Sequence, residues 1–321
     1  MYSLNDTLLH NYVNPFQPIN HLGISKYISK LDLKNTDILI CEGNFDRGIF
    51  KYLKPECKLV TFEAEHPNGF AVPGRDFFER EKELHHFAHK IYTICPFSAE
   101  WLNKIWGGNK YSSIFFPIDV DLMPVVDSLD KCFDVIYTGN ASREAFSFLE
   151  KIFKFNYAWI SGVNATGVTH LGVSYLEKLK LVASSRISIV HNRMPLNDVA
   201  SRMIRSWPKW DLNEAFRDIN SIENRIYFPE LPQIKSRVFE AALCGSLILC
   251  LRDKWNIIER FFKPNVDFLY YDLDSDLEVL ISDILTNYDQ YFPLIENAQR
   301  KVVELYSTEE FVKKIFRDCS D

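Results

Sequence analysis

Arg237 and Glu240 stand three residues apart in the segment LPQIKSRVFEAALCGSLILC (231–250), with Lys235 just ahead of them. The apolar run after Lys235, closed by Gly245, predicts a helix to Cys244 with the glycine at its C′ position and a strand beyond. A spacing of three puts the guanidinium and the carboxylate on one face, near the helix's amino end. That end carries unpaired N–H groups and a partial positive charge, which suit an anion. Such a set can hold a diphosphate with its cations and a vicinal diol with its carboxylate. It can also meet the charge that grows on a departing diphosphate. A nucleotide-sugar offers both groups; the alternative is an Arg–Glu surface pair on an ordinary helix.

Earlier in the chain, Glu63, Glu65 and His66 follow the apolar run KLVTF, at the carboxyl end of an expected strand. Histidine exchanges a proton near neutral pH, so His66 could activate a hydroxyl or assist a leaving group. A loop of solvated acids with a turn histidine is the competing reading. Glu42, Asn44 and Asp46 follow the preceding strand and are candidates for binding an acceptor's hydroxyls.

Other spacings are set aside. His85, His86 and His89 would share a helix, but the metalloprotease pattern needs a glutamate where His86 stands. Asp119 and Asp121 make a D-x-D, read as a hinge. Asp272, Asp274 and Asp276 fail as a calcium loop because Leu277 occupies the place of the required glycine. Gly107-Gly108 lacks the dinucleotide spacing, and neither a P-loop nor G-x-S-x-G is present. No metal site is expected.

The elements that must position these residues alternate. DILICEG (37–43), KLVTFEA (58–64), KIYTICP (90–96) and SSIFFPI (112–118) read as strands buried on both faces. The pattern restarts at FDVIYTG (133–139), followed by a helix with Ala145, Phe148, Leu149, Ile152 and Phe153 on one side. YAWISG (157–162), RISIVHN (186–192), SLILCLR (246–252) and VDFLYYD (266–272) continue it, and two helices close the chain. Two successive sets imply an α/β protein of two Rossmann-like domains facing a cleft, 1–128 and 129–321, with the last helix packing back on the first domain. Segment 193–232 reads as a helical insertion or a long loop.

Composition bounds the rest. The 321 residues give a prior of two domains, and 47% hydrophobic with 25% charged residues excludes a disordered chain. The net charge of −6 argues against a dedicated nucleic-acid binder. Seven cysteines, an odd number and several inside apolar runs, predict free thiols in a reduced compartment. The amino terminus lacks the pattern of a signal peptide, and no apolar stretch is long enough to span a bilayer. The expectation is a cytoplasmic protein.

The block K-x-R-x-F-E-A-x-x-x-G (235–245) with the strand after it resembles the carboxyl-terminal domain of group-1-like glycosyltransferases of the GT-B fold, in the spore-maturation-type branch. Residues 131–144, 175–192, 265–285 and 296–315 resemble other stretches of that domain, in the family's order. The resemblance implies a donor site. In it Glu240 binds the ribose, Lys235 and Arg237 face the diphosphate, Gly139 and Asn140 form the first strand–helix loop, and Arg143 lies near the phosphates. It also implies a catalytic or acceptor-facing residue after the strand KLVTF, where His66 stands with Glu63 and Glu65. With Arg237, His66 and Glu65 are the catalytic candidates, and Glu63 joins Glu42, Asn44 and Asp46 as an acceptor-side candidate. One departure stands out. Many members carry a second glutamate eight positions before the ribose-binding one, and here that position is Pro232, with Glu230 out of register.

The activity this implies is transfer of a sugar, with retention, from a nucleotide donor to a hydroxyl on a cell-surface glycan or lipid-linked saccharide, without a cofactor. Two rivals remain. Segment 193–237 has a surplus of two basic residues, which would fit a phage-type enzyme that glycosylates modified bases in DNA. The missing glutamate would fit a degenerate GT-B binding protein.

Overall fold

The apolar runs read as strands form two separate parallel sheets. The computed structural model describes residues 35–42, 53–63, 82, 84–123, 129–140, 149–195, 230–253, 255–273 and 275–320. Strands β1 (Ile38–Glu42), β2 (Lys58–Glu63), β3 (Lys90–Thr93) and β4 (Tyr111–Ser113) pair in chain order, all parallel. Helix α1 (Pro96–Trp106) makes the crossover from β3 to β4, starting at a proline whose missing N–H costs nothing in a first turn.

The second sheet holds β5 (Phe133–Thr138), β6 (Tyr157–Ser161), β7 (His170–Leu171) and β8 (Ser185–Val190). Beyond an antiparallel ladder of β9 (Arg193–Pro195) and β10 (Glu230–Pro232), it is completed by β11 (Leu247–Leu251) and β12 (Leu269–Tyr271). Its order is β12-β11-β8-β5-β6-β7, parallel throughout. Helices α2 (Tyr175–Ala183), α3 (Ser236–Leu243), α4 (Leu277–Thr286), α5 (Phe292–Leu305) and α6 (Thr308–Ser320) follow the strands. All five residues of β11 are buried, as the unbroken apolar run predicts for a strand covered on both faces.

The chain divides into two compact units. One contains Phe116–Asn192 and Ile234–Phe311, with the six-stranded sheet; the other contains the four-stranded sheet, Arg193–Gln233 and the chain from Val312. Within the second unit the end of α6 is bonded to the sheet: Tyr92 donates to Asp318 at 2.6 Å, and Lys58 donates to the Cys319 carbonyl. Within the first, Lys131 Nζ donates to the carbonyls of Ala183, Ser185 and Gly245, tying the ends of α2 and α3 together.

Several local expectations change. The run 112–118 is a strand only through Ser113; Pro117 lacks an N–H, and Ile118 instead bonds the backbone of Tyr306 and Thr308. Of the helix expected after β5, residues 141–148 lie outside the described residues, and Glu150–Lys154 is a 3₁₀ turn anchored by buried Ile152. Three helices close the chain rather than two: α4 ends at Thr286, a 3₁₀ turn follows over Tyr288–Tyr291, and α5 starts anew with Pro293 in its first turn, where the missing N–H costs nothing. Residues 84–87 are helical but His89 is past that turn, its N–H bonded to the Leu59 carbonyl, so His85 and His89 do not share a helix face. His85 instead stacks on Trp106 and Tyr111. Asp119 caps a short turn and Asp276 caps α4. The described cysteine side chains are free thiols, and among the described residues no helix is long and apolar enough to cross a membrane.

Candidate active site

Strand order in the six-stranded sheet reverses at β5. From β5 the chain steps outward to β6 and β7, then returns to lay β8 on the other side. The carboxyl ends of β5 and β8 therefore lie side by side with their following loops leaving in opposite directions, the crevice where open α/β sheets bind ligands. Tyr137, Gly139 and Asn140 stand at the end of β5, and His191 and Asn192 directly after β8.

Helix α3 brings the charged pair to this edge. Its first residue follows Lys235, whose N–H donates to Oδ1 of fully buried Asn192 at 3.1 Å. Asn192 Nδ2 reaches Cys250 Sγ in β11 at 3.6 Å, so one amide links the end of β8, the core of the sheet and the start of the helix. The Cys250 thiol is pushed well up by burial, with the Asp253 charge adding to it, and remains a neutral core group. Val238, Phe239, Ala241, Ala242 and Leu243 bury the helix on nearly every side. Phe239 meets the rings of Phe261, Phe262 and Tyr306. Gly245 ends the helix at φ +60, as a C′ glycine does.

Arg237 lies along the β5 edge, its guanidinium carbon 5.0 Å from the centre of the Tyr137 ring, a cation–π contact. The same guanidinium presses on Gly139, where a Cβ would come 2.5 Å from Nη2. Gly139 has φ +139 and its carbonyl accepts from Trp159 Nε1 at 3.0 Å. Asn140 Oδ1 accepts from Ser161 Oγ and from the Gly162 N–H, both at 3.0 Å, which pins the loop after β5 to the end of β6. Tyr137 Oη lies 3.1 Å from His191 Nε2, joining the β5 and β8 ends across the switch point.

Glu240 is 2% exposed. Its Oε1 accepts from Lys178 Nζ of α2 at 2.7 Å. Its Oε2 and the Arg237 Nη1 are buried and have no hydrogen-bond partner among the described residues. Each buried polar atom left so costs free energy, about 1–3 kcal/mol or more when charged. Two of them, of opposite charge, lie one helical turn apart on α3.

Of the residues expected at the site, the structure brings together Gly139, Arg237, Lys235 and Asn140 around the ends of β5 and β8, and places Glu240 one turn along α3. Arg143, Asn44, Asp46, Glu65 and His66 lie outside the described residues. Glu42 and Glu63 end the adjacent strands β1 and β2; their side chains are outside what is described. Pro232 sits in β10 opposite Arg193, confirming that no carboxylate occupies that position. Tyr137, Trp159, Lys178, His191 and Asn192 were not singled out from the sequence. Tyr137 and His191 close runs already read as strands, so strand-end reasoning could have found them; nothing in the sequence pointed Lys178 at Glu240.

Residues 208–317 match the family model described as glycosyl transferase-like. No curated protein matches the chain in sequence. Among solved structures, it is similar to sucrose-phosphate synthase from Thermosynechococcus elongatus, with 13% identity, a TM-score of 0.57, and 96% of this chain and 82% of that one covered. It is similar to HepE of Anabaena in complex with UDP-glucose, with 11% identity, a TM-score of 0.54, and 95% and 84% covered. A pneumococcal O-GlcNAc transferase, GtfA, in complex with UDP and GlcNAc, is 11% identical with a TM-score of 0.54, and 93% and 60% are covered. The fold is thus that of the GT-B glycosyltransferases. None of these matches singles out the spore-maturation-type branch.

Proposed function

We propose that the protein transfers a sugar from a nucleoside-diphosphate-sugar donor to an acceptor hydroxyl. The observation that carries this reading is the pair of unsatisfied buried atoms, Arg237 Nη1 and Glu240 Oε2, on one short helix at the switch-point edge. A diphosphate supplies the anion that Arg237 and the α3 amino end lack, and a ribose diol supplies the O–H donors that Glu240 Oε2 lacks. The neighbours bound to UDP-glucose and to UDP with GlcNAc support a donor of this class.

In the reaction the bond from the anomeric carbon to the diphosphate oxygen breaks and a bond to the acceptor oxygen forms. The electron pair leaves on the diphosphate, where Arg237 lowers the cost of its charge. The acceptor's proton passes to a base, for which His66 with Glu65 is the candidate read from the sequence. A saccharide acceptor and retention of configuration are carried by the family resemblance. No metal or cofactor is needed for the charge to be met by Arg237, Lys235 and the helix end.

The test is a thermal-shift series with UDP, GDP, ADP and CDP, followed by donor hydrolysis with the matching nucleotide-sugar. A rise in melting temperature with one nucleotide, saturating with concentration, is the expected result. No shift with any of the four, and no hydrolysis, would leave a GT-B binding protein as the better reading.

A further inference from the structure

Glu240 is a carboxylate buried almost completely within the protein, and the group that makes its burial tolerable is Lys178. Their contact, 2.7 Å between Nζ and Oε1, joins α2 to α3 across sixty-two positions of sequence, with only 3% of the Glu240 side chain and 23% of the Lys178 side chain exposed. Lys178 is itself held on a second side, its Nζ 4.7 Å from the centre of the Tyr175 ring one turn back on α2. Ser174 fixes that turn by capping it, accepting from the Glu177 N–H. The ammonium therefore has a fixed position, set by a capped helix end and an aromatic face.

A lone buried carboxylate would turn to whichever donor it could reach. Here Oε1 is tied to the ammonium and Oε2 is left without a partner. Arg237, three residues earlier on α3, is not the group that satisfies it: its guanidinium packs against Tyr137 and Gly139, with Nη1 itself unpartnered. The two cations near this carboxylate are thus divided between different tasks.

We propose that Lys178 is a positioning residue that sets the nucleotide specificity of the site: by holding Glu240 through Oε1 it aims Oε2 at a ribose diol, so that the site takes ribonucleotides and rejects their dideoxy counterparts. This rests on the reading of Glu240 as the donor-ribose carboxylate. A purely structural ion pair would hold α2 against α3 without discriminating between sugars of the nucleotide.

The experiment measures dissociation constants by calorimetry for UDP, GDP, ADP and CDP on the wild-type protein. The tightest of them is then compared with its 2′,3′-dideoxy analogue on wild type, K178M, K178Q and K178R, each checked for a cooperative melt. Wild type should prefer the ribonucleotide by roughly ten-fold or more, the range of a hydrogen bond to a charged group. In K178M the preference should fall to about two-fold or less, through weaker ribonucleotide binding with dideoxynucleotide binding little changed; K178Q supplies the same reading should the Met variant fail to fold. K178R, which keeps a charged donor, should recover much of it. A folded K178M or K178Q that keeps the full preference overturns the role of Lys178 and leaves the donor site standing, as does a K178R no better than K178M. A wild type that binds a nucleotide with no preference overturns the ribose role of Glu240 and this inference with it. Failure of wild type to bind any of the four overturns the donor reading itself.

Discussion

Arg237 rests on Gly139 so closely that a single methyl group on the glycine would lie 2.5 Å from the guanidinium nitrogen. The cation of α3 and the backbone at the end of β5 therefore define each other's positions, although ninety-eight residues separate them in the chain. Gly139 is there for two reasons: its φ of +139 is one that L side chains rarely adopt, and only a hydrogen leaves room for the guanidinium.

Gly139→Ala should accordingly do two things. The backbone strain should cost about 1–3 kcal/mol of stability, measured by urea denaturation. The displaced guanidinium should weaken nucleoside diphosphate binding by roughly ten-fold or more, the loss of a charge-assisted contact. Because the clashing atoms are the far end of a flexible side chain, folding should survive. Unchanged nucleotide affinity in a folded G139A would show that the position of Arg237 is immaterial.

Arg237 and Glu240 should separate kinetically. Arg237→Ala removes a cation that meets charge developing on the leaving group, so kcat should fall about a hundred-fold or more with the fold intact. Glu240→Ala removes a contact made equally before and during the reaction, so the KM for donor should rise by roughly ten-fold or more with a smaller effect on kcat. Near-normal turnover by R237A, or an unchanged KM in E240A, would remove the respective role.

Asn192 is the residue whose loss should couple stability to the site. Asn192→Ala removes the buried amide that accepts from the part-buried Lys235 N–H and reaches Cys250, a cost of about 1–3 kcal/mol in denaturant titration. The start of α3 should loosen with it, so nucleotide affinity should drop as well. A variant that lost stability but bound nucleotide normally would confine Asn192 to the core.

Asp318 gives a pH signature at the far end of the chain. Burial pushes its carboxyl up, but hydrogen bonds from Tyr92 at 2.6 Å and Lys314 at 2.9 Å outweigh this and hold it below its ordinary value. A carboxyl whose folded pKa is depressed stabilises the fold above its unfolded pKa, and that contribution is lost as pH falls through the folded one. Wild type should therefore be more stable than D318N at neutral pH, with the gap closing below about pH 4. A gap that stays constant from pH 7 to pH 3 would rule the linkage out.

The sequence by itself determined the elements and the chemistry of the charged helix. Unbroken apolar runs such as LILCL, short and bounded by turn residues, read as strands covered on both faces, and the helix from Lys235 to Cys244 was set by its apolar run and by Gly245, signals that depend on neighbours in the chain. The run toward Pro117 stopped short as a strand, since a missing N–H is decided locally but its consequence depends on what else can bond nearby. Only the tertiary structure decided which residues the helix meets. The order of strands in a sheet is not written in any one strand; it brought the ends of β5 and β8 together, Tyr137 against His191, Gly139 under Arg237 and Lys178 onto Glu240. Contacts between residues so far apart in the chain leave no periodicity to read, because they arise from the packing of whole elements.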